Sequence, residues 1–304
     1  MKIALVGIGK IALDQHVPAL VASEDWELAA TVSRNGRVDG VEHWTDLAAM
    51  LDARPDIRVV SLCLPPVPRF DAAMQVLEAG RFVMLEKPPG ATLAECHALR
   101  ETADRLRLGT FATWHSREAA MVAPAKAWLA DKTIRRGHIT WREDVRKWHP
   151  GQDWVFEPGG MGVFDPGINA LSILTEILAV PVRLTSAVLE FPENRQAPIA
   201  AQLSLSNAIT ADFDWRQEGP QTWSIEIETD QGTLALHDGG ARLEIDGTPA
   251  RPAAAALAGE YPRLYRRMAE LVRTGHSDMD LRPMTLVADA FLIGTRQITH
   301  PFHF

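Results

Sequence analysis

The chain has 304 residues, a length that corresponds to about two domains. Its hydrophobic fraction of 46% and charged fraction of 23% are typical of soluble globular proteins, and its net charge of −8 argues against nucleic acid or an anionic membrane as the main partner. The apolar start is interrupted by Lys10 and Asp14, and no long apolar run follows, so neither a secretion signal nor a membrane span is predicted. Two cysteines give no disulfide framework, and we expect a cytoplasmic protein.

The first motif is a glycine-rich turn after residues 3–6, which form a short apolar run typical of a buried strand. The pattern G-x-G-x-x-A follows directly and opens a predicted helix, which is the context of a dinucleotide fingerprint. Gly7 permits a tight turn, and Gly9 lets a pyrophosphate approach the backbone at the helix N-terminus. Together with Lys10 and Ile11, these residues are the first candidates for cofactor binding.

The residues after the second predicted strand, residues 27–32, bear on the choice of cofactor. A site specific for NAD usually places an acidic residue there to hold the ribose hydroxyls. This chain has Ser33 and Arg34 instead, and a guanidinium offers forked donors and permanent charge to a 2′-phosphate. The alternative is that Arg34 stacks on adenine or points to solvent. The sequence favours NADP, with NAD as second choice.

The strand–helix alternation continues along the first third of the chain. Thr45 is predicted to cap a helix through residue 51, and residues 57–64 form a strand that ends at Leu64. Pro65 and Pro66 are predicted to contact the nicotinamide ribose, or else they only form the turn before a helix over residues 69–79. A further strand over residues 109–114 brings His115 to the same carboxyl edge, where open α/β sheets bind ligands.

Lys87 is the first candidate catalytic residue. It follows a buried strand over residues 81–85, and the sequence Glu86-Lys87-Pro88-Pro89 makes this corner stiff because each proline fixes its φ angle. Thr92 and Glu95 have the spacing of a capping box, so a helix is predicted to begin there. Lys87 therefore stands at the ligand edge of the sheet, with Glu86 beside it, unless it is an ordinary surface lysine of a strand–helix loop.

The pattern changes after residue 118, which we take as the boundary between a dinucleotide-binding domain (1–118) and a substrate domain (119–304). A helix over residues 117–129 and a strand over residues 138–143 precede a segment without clear period, residues 144–164. A long loop of this kind is usually functional. It carries Trp148, His149, Trp154 and Phe156. Tryptophan presents a flat apolar face and one donor, which suit the C–H face and the hydroxyls of a sugar, although a hydrophobic patch covering the domain interface is the alternative for these rings.

Asp165 and Pro166 are predicted to begin a helix that runs to about residue 178, with Asp165 as its N-cap. Asn169 lies one turn further on the same face, so both side chains can point towards one substrate. A helix cap alone would explain Asp165, whereas Asn169 interrupts an otherwise apolar helix start. We therefore count both as candidate substrate-binding residues.

The rest of the chain is rich in strands. Residues 201–206, 209–216 and 222–229 alternate apolar and polar positions and predict an antiparallel sheet with one wet face. A hairpin turn at Gly239-Gly240 and two helices over residues 262–274 and 282–297 complete the domain, with a short alanine run at 253–256. The polar face argues against a large hydrophobic interface, so we expect a monomer or small homo-oligomer. The histidines have no metal-ligand spacing, and His300 and His303 are interpreted as part of a tail.

The predicted fold class is therefore α/β, with an N-terminal doubly wound Rossmann domain and a C-terminal α+β domain whose open sheet is mostly antiparallel. With the Glu86-Lys87-Pro88 motif, this organisation resembles the Gfo/Idh/MocA oxidoreductase family over most of the chain. Four stretches, residues 84–92, 111–117, 148–152 and 157–169, are similar to a subgroup, the bacterial aldose 1-dehydrogenases that oxidise L-arabinose or D-galactose.

The resemblance implies oxidation of a pyranose sugar at C1 to a lactone. It also implies sugar contacts from a set of polar and aromatic residues, namely His115, Glu143, Trp148, His149 and Trp223. The wider family commonly has a histidine four residues after the aspartate, where this chain has Asn169. An amide cannot act as a general base near neutral pH, so proton removal falls to Asp165 or Lys87.

In the mechanism that we expect, Lys87 and Asn169 hold the C1 hydroxyl oxygen while Asp165 accepts its proton. One alternative is another dehydrogenase of the family, acting on a ring carbinol of a polyol or inositol. The other is a cofactor- or sugar-sensing regulator without catalysis, against which the joint presence of Lys87, Asp165 and Asn169 speaks.

Overall fold

A computed structural model of the chain describes residues 1–252 and 259–304. The alanine run at 253–256 lies outside these residues. The chain divides into two compact units, residues 1–114 with 260–281 and residues 115–259 with 282–304. This division differs from the expected one, because residues 260–281 belong to the first unit rather than to the second.

The first unit contains a six-stranded parallel sheet in the order β3-β2-β1-β4-β5-β6. This is the strand order of the doubly wound dinucleotide-binding fold, so the predicted Rossmann domain is confirmed. Its strands are β1 (Lys2–Val6), β2 (Glu27–Val32), β3 (Glu42–Trp44), β4 (Val59–Leu62), β5 (Phe82–Glu86) and β6 (Thr110–Thr113).

The helices of the first unit begin with a π-helical turn at Ala12–His16. The others are α1 (Val17–Val21), α2 (Leu47–Ala53), α3 (Pro66–Glu78), α4 (Leu93–Leu106) and α8 (Glu260–Thr274). The capping box of Thr92 and Glu95 at α4 is confirmed. The prediction for α2 is wrong by one residue, because the carboxylate of Asp46, not Thr45, accepts the hydrogen bond from the Ala49 amide.

Helix α8 returns late in the sequence to the core of the first unit. Tyr265 and Met268 of α8 are fully buried in one cluster with Ile3 and Leu5 of β1 and Met84 of β5. Burial of a large apolar side chain of this kind contributes roughly 1.5–3 kcal/mol. The first unit is therefore completed by a segment about 150 residues after its last strand.

The second unit contains a nine-stranded sheet in the order β14-β13-β12-β11-β7-β10-β9-β8-β15. The strands are β7 (Ile134–Arg142), β8 (Leu184–Pro192), β9 (Ala200–Leu205), β10 (Ile209–Asp214), β11 (Thr222–Thr229), β12 (Gly232–His237), β13 (Arg242–Ile245), β14 (Thr248–Pro249) and β15 (Thr295–Thr299). Two pairings, β7 with β10 and β8 with β15, are parallel and the others are antiparallel. The mostly antiparallel sheet is thus confirmed.

The helices of the second unit are α5 (Val122–Leu129), α6 (Val145–Trp148), α7 (Phe164–Ile177) and α9 (Arg282–Ile293), with short 3₁₀ turns at His115–Glu118, Asp153–Phe156 and Asp238–Gly240. Three of these helices, α5, α7 and α9, pack on the nine-stranded sheet. The predicted helices over 117–129 and 282–297 were too long, because a 3₁₀ turn precedes α5 and β15 follows α9. The hairpin at Gly239-Gly240 is confirmed.

Candidate active site

The glycine-rich turn lies at the carboxyl end of β1. Gly7 has a φ of +87°, and a Cβ at this position would lie 3.1 Å from the backbone nitrogen of Leu64, so a side chain is excluded on both counts. A Cβ on Gly9, in contrast, would have no protein atom within 4 Å. Packing therefore does not require a glycine at position 9, but approach of a pyrophosphate to the backbone does. These residues fit a dinucleotide cofactor.

The residues that border this turn differ in exposure. Lys10 is exposed and forms an ion pair with Asp14 one turn along the helix, and Ile11 is exposed as well. Ser33 follows β2 and its hydroxyl accepts a hydrogen bond from the Gly36 amide at 3.2 Å. Arg34 is exposed, and its guanidinium has no hydrogen-bond or ion-pair partner within residues 1–252 and 259–304. The guanidinium is thus available for an anionic ligand.

A buried arginine, Arg69, anchors the loop after β4. Pro65 stands at the N-cap of α3 and Pro66 at its first position, where proline is favoured. Arg69 of the same helix donates from Nε to the carbonyl oxygen of Leu64 at 3.1 Å. Its guanidinium also donates to the carbonyl oxygens of Glu86 and Pro88. One side chain therefore fixes both the Leu64–Pro66 loop and the loop of Lys87.

Glu86 ends β5 inside a buried hydrogen-bond network. Its Oε1 accepts from Nε2 of His16 and from the hydroxyl of Tyr261, each at 3.0 Å, and its Oε2 accepts from the backbone nitrogen of Lys87 at 3.0 Å. Nδ1 of His16 lies 2.7 Å from the hydroxyl of Tyr265. The backbone of Lys87, whose peptide bond to Pro88 is cis, is thus tied to the π-helical turn and to α8. Glu86 supports Lys87 from the interior of the unit.

The pKa values in this network follow from its burial. Burial lowers the pKa of the His16 imidazole, but Cys63, Tyr265 and Glu86 raise it more, so the pKa lies well above the usual 6.5. The Glu86 carboxylate beside the ring thus favours the imidazolium form of His16. Burial first, and then the charge and the hydrogen bond of Glu86, raise the pKa of Tyr261 well above 10. Tyr261 accordingly remains a hydrogen-bond donor to Glu86 at all physiological pH values.

In the second unit, Asp165 differs from its prediction. Helix α7 begins with Val163 as N-cap, and Asp165 lies inside its first turn, so the prediction that Asp165 caps the helix is wrong. The tight turn at Gly162, with a φ of +54°, lets the helix begin earlier than the Asp-Pro pair indicates. The Asp165 carboxylate instead pairs with His149, whose Nε2 lies 3.1 Å from its Oδ2. Helix capping therefore no longer explains this buried carboxylate.

His149 is oriented by the segment that follows it. Its Nδ1 lies 3.2 Å from Oε1 of Gln152, and the same oxygen accepts from the indole nitrogen of Trp154 at 3.1 Å. The edge of the imidazole ring packs on Trp215, with 5.4 Å between ring centroids. The segment of residues 144–164 was predicted to have no regular period. It contains short helical turns, which orient the His149 ring towards Asp165.

Glu143 follows β7 and links two tryptophans. Its Oε1 accepts from the indole nitrogen of Trp215 and its Oε2 from that of Trp223, each at 3.0 Å. Trp223 in turn stacks on Trp141 and lies 5.8 Å from Trp148 between ring centroids. Trp148 is 37% exposed, whereas Glu143 and Trp141 are buried. The row of indole rings therefore ends in an open apolar face.

Asn169 and His115 complete the predicted residues of the second unit. Asn169 lies one turn along α7 from Asp165 and is partly exposed between buried neighbours. His115 lies in a 3₁₀ turn next to buried Ser116, whose hydroxyl lies 3.4 Å from its Nδ1. The second unit thus brings Glu143, His149 and the tryptophans together, and places Asp165 and Asn169 on one helix.

Sequence reasoning missed four residues that organise the two sites, namely His16, Arg69, Trp215 and Tyr261. Arg69 and His16 had a detectable signal, since each is a polar residue on the buried side of a short amphipathic helix. Trp215 stands on the apolar side of the alternating segment 209–216, a position that by itself indicates only a core residue. No local signal connects Tyr261 to Glu86, 175 residues earlier.

Two general properties bear on the class of site. Within the described part of the chain, no group of three or more His, Cys, Asp or Glu side chains is arranged to hold a metal ion. No helix in residues 1–252 or 259–304 has the length and apolar character that crossing a bilayer requires.

A Rossmann unit with an open glycine turn and a second unit with paired carboxylate and imidazole groups are typical of two-domain, nucleotide-dependent oxidoreductases. Residues 1–110 match the family described as GFO_IDH_MocA, an oxidoreductase family with an NAD-binding Rossmann fold. The chain belongs to the Gfo/Idh/MocA oxidoreductase family, as the resemblance implied.

The similarity to two relatives extends over the whole chain. The galactose 1-dehydrogenase of Pseudomonas fluorescens is 40% identical over 100% of this chain and 99% of its own. The crystal structure of a D-galactose-1-dehydrogenase protein from Rhizobium etli superposes with a TM-score of 0.94 and 52% identity, covering 99% of this chain and 97% of that one. A 3-ketoreductase from Actinomadura kijaniata, solved with TDP-benzene and NADP, shares the fold at a TM-score of 0.83 with 20% identity, over 98% of this chain and 99% of its own.

Proposed function

We propose that the chain is an NAD(P)-dependent aldose 1-dehydrogenase that oxidises C1 of a pyranose to the aldonolactone. The observation that carries the proposal is the full-length similarity to two galactose 1-dehydrogenases, at identities of 40% and 52%. The chemistry of the residues supports it, since Lys87, Asp165 and Asn169 supply a cation, a carboxylate and an amide for one hydroxyl group. The proposed substrates are L-arabinose and D-galactose.

We propose NADP as the preferred cofactor, with NAD as second choice. When bound, the nicotinamide accepts the hydride that leaves C1. Gly7, Gly9, Lys10 and Ile11 would hold the pyrophosphate at the start of the helix. Ser33 and the unpaired guanidinium of Arg34 would hold the 2′-phosphate, because no carboxylate follows β2 directly to repel it. Leu64, Pro65 and Pro66 would contact the nicotinamide ribose.

The proposed roles at the reacting carbon follow from the chemistry of each side chain. The Lys87 ammonium and the Asn169 amide donate hydrogen bonds to the C1 hydroxyl oxygen and orient it. Asp165 accepts the hydroxyl proton, because an amide cannot, and the C1–O bond becomes the lactone carbonyl. Glu86 acts through Lys87 by holding its backbone nitrogen.

The rest of the sugar would contact the second unit. Trp148 and Trp223 offer apolar ring faces for the C–H groups of the pyranose, and Glu143, His149 and His115 would contact its polar edge. L-Arabinose and D-galactose in pyranose form present the same ring hydroxyls and differ by one hydroxymethyl group. A hydrophobic site rejects such a group by only about 1–3 kcal/mol, which is why both sugars are proposed.

The test is a set of initial rates on a panel of aldoses with NADP and with NAD, followed by analysis of the product. We expect the highest kcat/KM for L-arabinose or D-galactose with NADP and a lactone that hydrolyses to the acid. A ketone product would contradict the proposal. It would instead favour oxidation of a ring carbinol of a polyol or inositol.

A further inference from the structure

The imidazole of His149 and the carboxylate of Asp165 form a close pair within the second unit. Nε2 of His149 lies 3.1 Å from Oδ2 of Asp165, and the two side chains are 21% and 12% exposed. The pair joins the segment after β7 to the first turn of α7. Its more exposed member is the imidazole, which therefore has the better access to water.

The hydrogen bonds of Gln152 determine which nitrogen of His149 carries a proton. An indole nitrogen can only donate, and that of Trp154 lies 3.1 Å from Oε1 of Gln152, so this atom is the amide oxygen. Nδ1 of His149 lies 3.2 Å from the same oxygen and accordingly donates its N–H. In a neutral imidazole the second nitrogen, Nε2, then has no proton and can only accept.

This assignment requires one proton between His149 and Asp165. A lone pair on Nε2 and an ionised Oδ2 would repel each other at 3.1 Å, whereas a proton between them makes a charge-assisted hydrogen bond. The contact is therefore favourable when the pair holds one proton. Its affinity for that proton belongs to the pair and not to either residue alone.

We propose that Asp165 and His149 act as one base, in which Asp165 takes the C1 hydroxyl proton and His149 retains it; this rests on the proposed function. The hydroxyl O–H bond breaks and the proton binds to the carboxylate, while the C1–H electron pair leaves as hydride to the nicotinamide. The proton then moves to Nε2, where an N–H bond forms and the ring becomes an imidazolium. The imidazolium releases the proton to water before the next turnover. His149 is a positioning residue in this scheme, because it acts through Asp165.

The pairing gives the base a proton affinity that is suited to neutral pH. A lone carboxylate has a pKa of about 4 and an imidazole one of about 6.5, and a neighbouring carboxylate raises the latter. Other charged groups on the adjoining elements include Glu143 after β7, the Asp144–Arg146 ion pair and Lys147 at α6, and the ion pair of Asp153 with Arg195. They remain in place when His149 is replaced, so a comparison of variants isolates the pair.

A measurement without turnover tests the shared proton directly. The NMR signal of the His149 ring, identified by its absence in His149→Gln, is followed against pH in the wild type and in Asp165→Asn. We expect the titration midpoint of His149 to be about 1–3 pH units higher in the wild type, because only an ionised carboxylate favours the imidazolium. Equal midpoints would overturn the proposal. This result stands even if no aldose is oxidised, an outcome that would refute the proposed function alone.

A kinetic measurement tests the role of the pair in turnover. In the wild type, kcat/KM should rise with pH at the same midpoint as the NMR titration of His149. In His149→Gln the glutamine still donates to Asp165 but cannot hold a second proton, so the rise should move about 2–3 pH units towards acid. Turnover at neutral pH should fall roughly 10²-fold. An unchanged pH profile with only a raised KM would reduce His149 to a sugar contact and overturn the proposal.

The matched control is His237→Gln in the hairpin of β12 and β13. His237 is partly exposed and its Nε2 lies 3.9 Å from the carboxylate of Glu244, so it has an acidic neighbour like that of His149. It lies outside the residues assigned to catalysis or sugar binding. We expect His237→Gln to leave both the pH profile and kcat unchanged, and a shift equal to that of His149→Gln would overturn the proposal.

Discussion

Nε2 of His16 lies 3.0 Å from Oε1 of Glu86 in the interior of the first unit, where both side chains are almost fully buried. The first residue belongs to the π-helical turn after the glycine motif, and the second precedes Lys87. A buried ion pair contributes little net stability, but the loss of one partner leaves an uncompensated charge. The pair therefore couples the position of Lys87 to the π-helical turn that follows the glycine motif.

Replacement of His16 by alanine should destabilise the first unit by about 3–5 kcal/mol, because Glu86 loses its cationic partner while it remains buried. Tyr261→Phe removes a single hydrogen bond to the same carboxylate and should cost about 1.5–3 kcal/mol. Denaturant unfolding of both variants measures the difference. An effect of Tyr261→Phe as large as that of His16→Ala would mean that the imidazolium is not the main partner of Glu86.

The contribution of His16 should also depend on pH. Its pKa is raised in the folded chain, so the folded state binds the proton more tightly than the unfolded state does. The stabilisation is complete below the unfolded value of about 6.5, declines as the pH rises above it, and is lost beyond the folded pKa. We expect the difference in unfolding free energy between the wild type and His16→Gln to shrink from pH 6 towards alkaline pH. A difference that is constant with pH would contradict a charged His16.

Arg34→Ala should weaken the use of NADP and leave that of NAD nearly unchanged. The guanidinium is exposed and has no partner within the described residues, so its loss removes only the contact to the 2′-phosphate. The expected loss is about 1.5–3 kcal/mol in kcat/KM for NADP, the range of a hydrogen bond to a charged group. Arg37→Ala, another exposed arginine three residues further on, is the control and should change neither cofactor. If the ratio of kcat/KM for the two cofactors is the same in Arg34→Ala as in the wild type, Arg34 does not bind the 2′-phosphate of NADP.

Trp148→Ala should raise KM for the aldose and leave the affinity for NADP unchanged. The ring is 37% exposed at the end of the stacked row that includes Trp223, so its removal opens the apolar face without leaving a core cavity. Trp128→Ala is a matched control and should change neither value. Trp128 lies on α5 with the Lys132 ammonium 4.6 Å from its ring centroid, just as the Lys147 ammonium lies 5.1 Å from that of Trp148. Unchanged sugar kinetics in a folded Trp148→Ala variant would assign Trp148 to surface packing.

The parts of the fold that depend on neighbouring residues were predictable from the sequence. The turn at Gly7 and the capping box of Thr92 and Glu95 are local, because φ restrictions and side-chain caps act over a few residues. The alternation of residues 209–214 identified β10, but pairing partners are not local. The parallel register of β10 with β7 therefore could not be read from either strand.

The relationships that organise the two sites depend on tertiary contacts. Asp before Pro is a strong local signal for a helix cap, yet the turn at Gly162 starts α7 two residues earlier and leaves the Asp165 carboxylate to pair with His149. The hydrogen bond from Tyr261 to Glu86 joins residues 175 positions apart, through a helix that the sequence assigned to the other domain. Periodicity carries no information about such contacts.

The last prediction concerns the residues that handle the hydroxyl group. Asp165 lies within the first turn of α7 and not at its N-cap, so Asp165→Asn removes the negative charge but keeps a side-chain amide that can hydrogen-bond to Nε2 of His149. Stability should change little, whereas kcat should fall roughly 10²–10⁴-fold, because an amide cannot accept the proton. Lys87→Ala should be nearly inactive as well, since it removes the cation that orients the hydroxyl, and Glu86 should stay paired with His16 and Tyr261 in this variant.

Both variants should still bind NADP, because the proposed phosphate contacts of Gly9 and Arg34 are unchanged. The decisive comparison is kcat for Asp165→Asn beside its melting temperature and its Kd for NADP. Near-normal turnover with normal stability would exclude Asp165 as the base, and Lys87 would then remain as the group that accepts the proton. A large loss of turnover with unchanged Tm and Kd would assign the loss to proton transfer, since neither folding nor cofactor binding would account for it.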